Sequence, residues 1–579
     1  MEQTPISPDI EIQHQDGDAN HLDRFLNTSY GVVGRTASTK SEANTSSEFH
    51  FWVADRDEAI GHIEIGNIMV ALSDENDDIT FGIVQEMRSY SDVDSFIADF
   101  LSHNFGEADI SVPTDISEVI VVTCAVMRNV SGKTKPVGRS KVYFPSSLGI
   151  QFSYGIVNEH GENIYSGNPI PIGIFENGDG TISSISIDES FIVGPEGAHL
   201  NVSGISGLAS KTSAIEFTLR SLLTCTSKRI ALVMFNVKSK DLLYIDQPNR
   251  RLIEDQHPLS VWSREAYTQL QIPMEPFSGT QFFAPANPRD PNRTQSQRQL
   301  PTNRFNWDLS MIYKDIPTLF DPMDFDDKME GVWYIIQDKI EQEGPNRLVT
   351  YDQMLNWIRT IIANANSARP PQLYPLGQHV LTWSKMLSHL HRFPQTFHGL
   401  ISTAGQGRDI PWNSLEGGTV FVIDIAPLRD RGQRLVFSKS IRAISDLLDA
   451  QNRSLDAVVV FVDELNKFAP SSNIRTPLKS HLIDVTARGR SIGLVLFGAE
   501  QFASSVDKEI VENSSTFLFG RTESNELRAA NYSGLSDEVK TKLMMLQQGH
   551  LLVKSAKLQQ PIFVRFPLPT CLPGDQYGQ

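Results

Sequence analysis

The sequence has few cysteines, no long apolar run and no excess of positive charge. Its three cysteines, Cys124, Cys225 and Cys571, lie far apart and form no C-x-x-C pair, so we expect neither a zinc site nor a disulfide framework and interpret all three as structural. No apolar run approaches the roughly 18 residues that a membrane-spanning helix needs, so we expect no insertion into a membrane. The 51 basic and 69 acidic residues give a net charge of −18, which argues against nucleic-acid binding over the whole surface but leaves room for a local basic channel.

The length and the N-terminal residues bear on domain number and location. At 579 residues the chain exceeds one hydrophobic core, and a usual size of about 150 residues per domain predicts roughly three or four units. The N-terminal stretch MEQTPISPDI has neither a basic nor an apolar character, which argues against secretion and makes the cytoplasm the expected location. Residues 1–45 are mostly polar, and we expect this segment to be mobile or to lie on a neighbour.

Residues 46–170 alternate short apolar runs with turns. The runs in HFWVADRDEAIGHIEIGNIMVALSDENDDITFGIVQEM are interrupted at Gly, Asp and Asn, and SEVIVVTCAVMRNV and RSKVYFPSSLGI repeat the pattern. Short strands separated in this way are typical of a small β-barrel. The pattern predicts an N-terminal barrel domain that closes near Pro171.

Strand and helix patterns alternate after the predicted barrel. HLNVSG is a short strand, Ser213 to Leu223 has apolar residues at helical spacing, and RIALVMFNV is an apolar strand long enough to be buried on both faces. The strands TVFVIDI, AVVVFVDE, GLVLFGAE, TFLFG and HLLVK follow much later. We therefore predict one α/β core with a mostly parallel sheet, split by an insertion. The predicted parts are the first core segment 171–255, a helical insertion 256–410, the second core segment 411–566 and a C-terminal tail 567–579.

The stretch GISGLASKTS, between the first core strand and the first core helix, has the residue types of a phosphate-binding loop. Gly204 and Gly207 permit a turn, while Lys211 and Thr212 supply a positive charge and a hydroxyl ligand for magnesium. The loop is one residue longer than G-x-x-x-x-G-K-[ST], and Ser210 precedes the lysine where the pattern has glycine. An ordinary turn with a chance Lys-Thr pair is the alternative. The candidate binding residues are Gly204, Gly207, Ser210, Lys211, Thr212 and Ser213.

Two carboxylates follow the apolar strand in AVVVFVDELNKF. Asp463 and Glu464 should lie at the carboxyl edge of a buried parallel strand, where ligands of open α/β sheets bind. In a nucleotide hydrolase, the first acid holds the magnesium shell and the second polarises the attacking water. The alternative is an acidic strand end that turns into solvent.

The segment DVTARGRSIGLVLFGAEQ carries three further candidates. Arg488 and Arg490 precede a core strand and Gln501 follows it. An arginine here could reach a phosphate across a subunit boundary, and Gln501 could contact the γ-phosphate. Taken singly, a solvated arginine and a capping glutamine are the alternatives.

Together these segments resemble the HerA branch of the HerA/FtsK ATPases. The resemblance rests on HLNVSGISGLASKTS, VVVFVDELNKF, ARGRSIGLVLFGAEQFASSVDKEI and FLFGRTESNELR, and it also fits the preceding barrel and the insertion. It implies a P-loop ATPase core in a homo-hexameric ring that binds ATP and Mg²⁺ between subunits. The roles that it implies are Walker A for Lys211 and Thr212, Walker B for Asp463 and Glu464, a polar sensor for Gln501 and a trans-acting finger for Arg488 or Arg490.

Within that family, GLASKTS and FNVKSKDLLYID are most similar to bacterial ring ATPases encoded beside an effector in antiphage systems. This resemblance implies a separate effector protein, a nuclease or a sirtuin-type NADase. The chain has no effector motif of its own, and we interpret His389 and His391 as helix-surface side chains.

Two functions remain in competition for such a ring. A translocase would thread double-stranded DNA past basic loops, for which Arg429, Arg431 and Arg434 in PLRDRGQR are candidates, although a solvated loop is an equal alternative. A nucleotide-responsive scaffold would instead assemble and activate the effector with little translocation. A metabolic kinase does not fit the split core or the barrel, and the sequence lacks a lid-like arginine cluster.

Overall fold

The computed structural model divides the chain into two compact units. The first contains the described residues up to Ile164 together with Phe175–Ser184 and Ser536–Lys542, and the second contains Tyr165–Ile174, Ile185–Leu535 and the described residues from Leu543 onward. The structure describes residues 22–54, 61–76, 78–102, 105, 118–205, 210–290, 292–321, 323–403, 405–450, 454–472 and 476–577. No helix among these residues is long and apolar enough to cross a bilayer.

The first unit is built on an antiparallel sheet of seven strands in its described part. The strand order is β1-β7-β2-β3-β6-β5-β4, and β7 also pairs with β4, so the sheet closes on itself. Alternating inward residues, including Phe49, Phe51, Cys124 and Phe144, fill its core. The elements are β1 (Leu26–Asn27), β2 (Gly34–Ala37), β3 (Glu48–Val53), β4 (Ile68–Ser73), β5 (Ile79–Ser91), α1 (Phe96–Ser102), β6 (Glu118–Asn129), β7 (Ser140–Pro145) and α2 (Ser147–Ser153).

The prediction of a mobile segment 1–45 is wrong for its second half. Strands β1 and β2 both lie within that range, and Phe25 and Val33 are fully buried. The few apolar residues here are diluted by polar neighbours, so composition hid two short strands whose stability comes from their pairing partners. Residues 1–21 lie outside the described part of the chain.

The second unit contains most of a twelve-stranded sheet. Its helices are α3 (Ser210–Cys225), α4 (Arg250–Glu254), α5 (Pro258–Leu270), α6 (Leu309–Ile312), α7 (Asp327–Glu341), α8 (Tyr351–Ser367), α9 (Val380–Thr396), α10 (Asp430–Asp449), α11 (Pro477–Ile492) and α12 (Lys508–Glu512). Helix α13 (Asp537–Met544) belongs mostly to the first unit. The strands are β8 (Pro169–Glu176), β9 (Ile182–Asp188), β10 (Leu200–Ser203), β11 (Ile230–Asn236), β12 (Gln281–Pro285), β13 (Asn303–Phe305), β14 (Val420–Asp424), β15 (Ala457–Asp463), β16 (Leu494–Glu500), β17 (Thr516–Phe519), β18 (His550–Ser555) and β19 (Ile562–Arg565).

The parallel part of this sheet runs in the order β13-β12-β14-β11-β15-β16-β10-β17. Every residue of β11, β15 and β16 is buried, as expected for strands covered on both faces. Strand β16 lies between β10 and β15 although it follows both in sequence. The carboxyl ends of β10 and β15, which precede the predicted phosphate-binding residues, therefore lie on either side of the end of β16.

The segment 256–410 is not purely helical as predicted. Strand β12 pairs in parallel with β14, and β13 pairs with β12, so both extend the core sheet. Phe282 and Phe283 of β12 are buried. Their apolar run is short and lies between polar loops, so its hydrophobic pattern could not be distinguished from that of a loop. Helices α5 to α9 lie in the same segment, and Trp307, Trp333 and Trp383 belong to the same hydrophobic cluster as the central strands.

The described part of the C-terminal tail lies on the second unit of its own chain. The Tyr267 hydroxyl donates to the Leu568 carbonyl at 2.8 Å, and the Asn249 amide donates to the Pro569 carbonyl at 2.8 Å. The rings of Tyr244 and Tyr577 stack with their centroids 3.8 Å apart. The tail therefore has a docking site within its own chain.

Candidate functional site

The candidate site lies at the carboxyl edge of strands β10, β15 and β16. Parallel strands end at the same edge of a sheet, and ligands of open α/β sheets bind there. In the strand register, Ser203 is opposite Glu500, and Asp463 is opposite Ala499. The ends of three strands therefore place the start of the candidate phosphate loop, Glu500 and the Asp463-Glu464 pair beside one another.

Gly204 opens the candidate loop in a conformation that only glycine adopts readily. Its φ is 154°, and a Cβ atom here would lie 3.1 Å from the Cα of Gly520. The next residue, Ile205, donates its backbone N–H to the Arg521 carbonyl at 2.9 Å. The loop thus leaves β10 pressed against the segment that follows β17, where a side chain would not fit.

The structure describes the loop only at its two ends, up to Ile205 and again from Ser210. Gly207 lies outside the described residues, and Ser210 is the first residue of α3. Lys211, Thr212 and Ser213 follow in the first turn of this helix, with Thr212 and Ser213 half-buried. Free backbone N–H groups at a helix N-terminus attract anions, so the start of α3 has the right polarity for a phosphate.

The Lys211 side chain is buried close to several charged groups of the site. Burial lowers the pKa of its ammonium, and the nearby positive charge of Lys238 acts in the same direction. The negative charges of Asp463, Glu500 and Glu464 oppose the shift. A buried cation beside three carboxyl groups is unusual in a protein interior, and such clusters of charged groups are typical of functional sites.

Glu464 is held in an unusual geometry by two lysines. Its backbone is left-handed, with φ 56° and ψ 51°. Its Oε1 lies 3.2 Å from Lys238 Nζ, and its Oε2 lies 2.7 Å from Lys467 Nζ. Burial alone would raise the pKa of Glu464, but the hydrogen bond from Lys467 and the charges of both lysines outweigh it, and the pKa is lowered. Lys238 Nζ also lies 3.0 Å from Asp463 Oδ2.

Glu500 is a functional candidate that the sequence analysis missed. Its side chain is fully buried. Burial raises its pKa to about 8, while the neighbouring Asn201 side chain and the charge of Lys211 act in the opposite direction. The sequence assigned the sensor role to Gln501, one residue later, but Gln501 is exposed. The strand that carries both residues ends between the loop and the Asp463-Glu464 pair, so Glu500 is the residue that the fold brings to the site.

The structure does not bring Arg488 and Arg490 to this site within one chain. Helix α11 connects the carboxyl end of β15 to the start of β16, so its C-terminal residues lie at the opposite edge of the sheet. Arg488 pairs with Asp484 at 3.2 Å, and Arg490 Nη1 donates to the Glu196 carbonyl at 3.3 Å, near the start of β10. Both arginines are exposed.

The candidate basic loop lies next to the site. Arg429 precedes α10, while Arg431 and Arg434 lie in its first turns, and all three are exposed. Arg431 pairs with Asp321 at 3.0 Å, and Arg434 Nε donates to the Lys467 carbonyl at 3.1 Å. This part of α10 follows β14, so it starts at the same edge of the sheet as the carboxylates.

The two histidines in α9 show no arrangement for catalysis. The ring of His389 packs against Phe320 with 5.4 Å between the centroids, and burial lowers its pKa. His391 is exposed. Cys124, Cys225 and Cys571 are free thiols.

The donor set suits a nucleotide phosphate with Mg²⁺. Lys211 is buried beside the carboxyl groups of Asp463, Glu500 and Glu464, and this combination of charged groups at the carboxyl edge of the sheet suits a phosphate and its cation. No cluster of three or more His, Cys, Asp or Glu side chains among the described residues is arranged to hold a metal. Mg²⁺ usually binds one or two carboxylates together with substrate phosphates, so Asp463 and Thr212 would be the residues that hold it here.

No protein-family model and no curated protein sequence matches the chain. Its fold is similar to that of several solved structures. VirB4 of Thermoanaerobacter pseudethanolicus is 14% identical, with a TM-score of 0.40 over 70% of this chain and 97% of that one. The bacterial conjugative coupling protein TrwBdeltaN70 is 12% identical, with a TM-score of 0.41 over 66% and 87% of the two chains.

A third similar structure is the genome packaging NTPase B204 from Sulfolobus turreted icosahedral virus 2 in complex with ATP-gammaS. It is 22% identical, with a TM-score of 0.22 over 26% of this chain and 69% of that one. At these identities and scores, the function of this chain has to be argued from its own site residues.

Proposed function

We propose that this protein binds ATP and Mg²⁺ and hydrolyses the γ-phosphate. One observation carries the proposal: Lys211, at the start of a helix that follows a glycine turn, is buried beside Asp463, Glu464 and Glu500 at the carboxyl edge of a parallel sheet. A buried lysine among carboxylates at this position is explained by a site for a phosphate and its cation.

Each residue has a task in this reaction. Lys211 neutralises phosphate charge, and the backbone N–H groups at the start of α3 donate hydrogen bonds to the phosphate oxygens. Thr212 and Asp463 hold the magnesium ion, which when bound neutralises charge that develops on the phosphates. Glu464 orients the attacking water and accepts its proton, because its lowered pKa keeps it ionised at neutral pH.

The proposed assembly is a homo-hexameric ring with sites between subunits. Arg488 and Arg490 cannot reach the site of their own chain from the far end of α11. In a ring, Arg488 or Arg490 of one subunit would instead contact the nucleotide phosphates bound by the adjacent subunit, as an arginine finger supplied in trans does. Gln501, exposed just after β16, is a second group that a phosphate or a neighbour could meet.

We further propose that the ring translocates along double-stranded DNA. We also propose that it acts in antiphage defence in the cytoplasm, together with a separately encoded nuclease or sirtuin-type NADase. The first turns of α10 support the DNA part, since their exposed arginines lie at the same edge of the sheet as the hydrolysis site. The defence setting and the effector rest on the resemblance of GLASKTS and FNVKSKDLLYID described above.

A second candidate function is a nucleotide-responsive scaffold with little turnover. It is favoured by the ion pairs that occupy both carboxylate oxygens of Glu464, because a glutamate held in this way is a poor base. In this case, ATP binding would affect assembly of the effector more than movement along DNA.

Steady-state ATP hydrolysis by the wild type, Lys211→Ala and Glu464→Gln, with and without duplex DNA, tests the proposal. Lys508→Ala is the matched control, because this exposed lysine on α12 pairs with Glu512, four residues further on in the same segment. Hydrolysis by wild type and control, stimulated by DNA and abolished in both site variants, supports the motor. Nucleotide binding without hydrolysis in any variant supports the scaffold.

A further inference from the structure

Glu464 is enclosed by a pair of lysines from two different segments. Lys238 follows β11 and contacts both Glu464 and Asp463, at 3.2 Å and 3.0 Å, while Lys467 contacts the other Glu464 oxygen at 2.7 Å. The three side chains of Glu464, Lys238 and Lys467 are each about one-third exposed (29%, 34% and 32%). We call Lys238 and Lys467 the lysine clamp.

The clamp opposes the task that hydrolysis requires of Glu464. Each of the two Glu464 carboxylate oxygens already accepts a hydrogen bond from an ammonium group, so fewer positions are left on them to accept one from the attacking water. Its left-handed backbone, with φ 56°, is a conformation that non-glycine residues keep only when their surroundings enforce it. The observed geometry is therefore that of a resting site.

The first turn of α10 contacts the backbone on both sides of this clamp. Gln433 is buried, and its Nε2 donates to the carbonyl of Val237, the residue before Lys238, at 3.1 Å. Arg434 Nε donates to the carbonyl of Lys467 itself at 3.1 Å. Two consecutive residues of one helical turn are thus bonded to the two segments that supply the lysines.

The same turn presents positive charge to solvent. Arg429 and Arg434 are exposed, and the exposed Arg431 is paired with the half-exposed Asp321. A polyanion bound here would compete for the Arg434 guanidinium and would also attract the Lys467 ammonium. Movement of this turn would therefore loosen the clamp from both sides.

We propose that Lys238 and Lys467 are positioning residues that hold Glu464 in a resting state, and that polyanion contact at the first turn of α10 releases it. The proposal rests on the proposed ATPase function, and it deepens that function by naming how DNA binding is communicated to the hydrolytic glutamate. Lys238 and Lys467 affect hydrolysis through the Glu464 carboxylate that they hold.

Carbodiimide cross-linking measures the clamp without any turnover. The reagent joins an ammonium to a carboxylate that it touches, and peptide mass spectrometry locates the bond. In the wild-type protein alone, we expect cross-links from Glu464 to Lys467 and to Lys238. A blunt duplex DNA, added with Mg²⁺ and a non-hydrolysable ATP analogue, should reduce both by about threefold or more. The exposed Lys508–Glu512 pair, at 3.4 Å, is the internal control and should not change.

Kinetics of Lys467→Met provide the second arm. The variant should hydrolyse ATP about fivefold faster than wild type without DNA, gain little from DNA and keep its KM. Lys467→Arg should restore the wild-type pattern, because the guanidinium can still pair with Glu464. Arg434→Ala should weaken the stimulation of ATP hydrolysis by DNA, because the contact that links the first turn of α10 to Lys467 is lost.

The two arms separate the clamp from the function on which it rests. A Glu464–Lys467 cross-link that DNA does not reduce, or a Lys467→Met basal rate no higher than wild type, overturns the clamp while Lys211→Ala and Glu464→Gln still define an ATPase. If the wild type hydrolyses no ATP, the proposed function fails, and unchanged cross-links under DNA then overturn the clamp as well.

Discussion

Glu500 lies directly opposite Ser203 in the parallel pairing of β16 with β10. This register places a buried carboxyl group at the point where the chain leaves β10 for the candidate phosphate loop. The group is neutral over much of the physiological range, because burial raises its pKa to about 8. Glu216 on α3 is a second such group, with its pKa also raised to about 8 by burial.

Because these two carboxyl groups are protonated in the folded protein, we predict that its free energy of unfolding falls as the pH rises. Each folded-state pKa of about 8 exceeds the ordinary value of 4.5. Between these values the unfolded chain has lost a proton that the folded chain keeps, so each group destabilises the fold by up to about 1.4 kcal/mol per pH unit. Urea denaturation from pH 5 to pH 8 should show this slope, and Glu500→Gln or Glu216→Gln should reduce it. A slope that is equal in wild type and variants would contradict the burial argument.

Gly204→Ala should disable the phosphate loop. The new Cβ would lie 3.1 Å from the Gly520 Cα, at a φ of 154° that alanine avoids. We expect a loss of about 1 to 3 kcal/mol in the free energy of unfolding and a marked loss of nucleotide affinity, measured by thermal unfolding and by titration with a fluorescent ATP analogue. Gly138→Ala is the control, because nothing lies within 4 Å of its added Cβ. Equal behaviour of the two variants would show that Gly204 is not needed for the turn.

Asn249→Ala should loosen the C-terminal tail. The Asn249 side chain caps α4 by accepting from the Leu252 N–H at 3.4 Å and donates to the Pro569 carbonyl at 2.8 Å. Loss of a cap and a buried hydrogen bond should cost about 1 to 3 kcal/mol. Limited proteolysis should remove a C-terminal tag faster from the variant than from the wild type. Unchanged cleavage would show that the Asn249 side chain is not needed to hold the tail.

Arg429→Ala and Arg434→Ala should weaken duplex DNA binding in a salt-dependent way. Each phosphate contact that is lost should lower the slope of log affinity against log salt concentration by about 1. Fluorescence anisotropy at several salt concentrations measures this slope. Arg293→Ala, which removes an exposed arginine paired with Asp290, is the control. If the control lowers the slope as much as the site variants do, the first turn of α10 is not a specific contact.

The sequence predicted those parts of the site that depend on local pattern. The apolar runs of β11, β15 and β16 are long and unbroken, so the strands and the Asp463-Glu464 pair at one strand end followed directly from them. The sequence pattern could not locate the sensor position to within one residue. It favoured Gln501, which is exposed, whereas the neighbouring Glu500 is the residue that is buried at the site.

The lysine clamp depends on contacts that no local pattern contains. Lys238 and Glu464 are separated by 226 residues, and only the pairing of β11 with β15 brings their segments together. Lys467 lies within one turn of Glu464, a spacing that is usual for exposed ion pairs and gave no reason to single it out. Strands β1 and β2 were hidden for a related reason, since their apolar residues are few and their stability comes from distant partners.

The central claim is that Lys211 belongs to an ATP site, and equilibrium binding of a fluorescent ATP analogue with Mg²⁺ tests it most directly. The account predicts saturable binding by the wild type and an increase in Kd of about 30-fold or more for Lys211→Ala, because a buried charge-assisted contact to phosphate is lost. Thermal unfolding of both proteins should confirm that the variant remains folded. Equal affinity of wild type and a folded Lys211→Ala would contradict the claim.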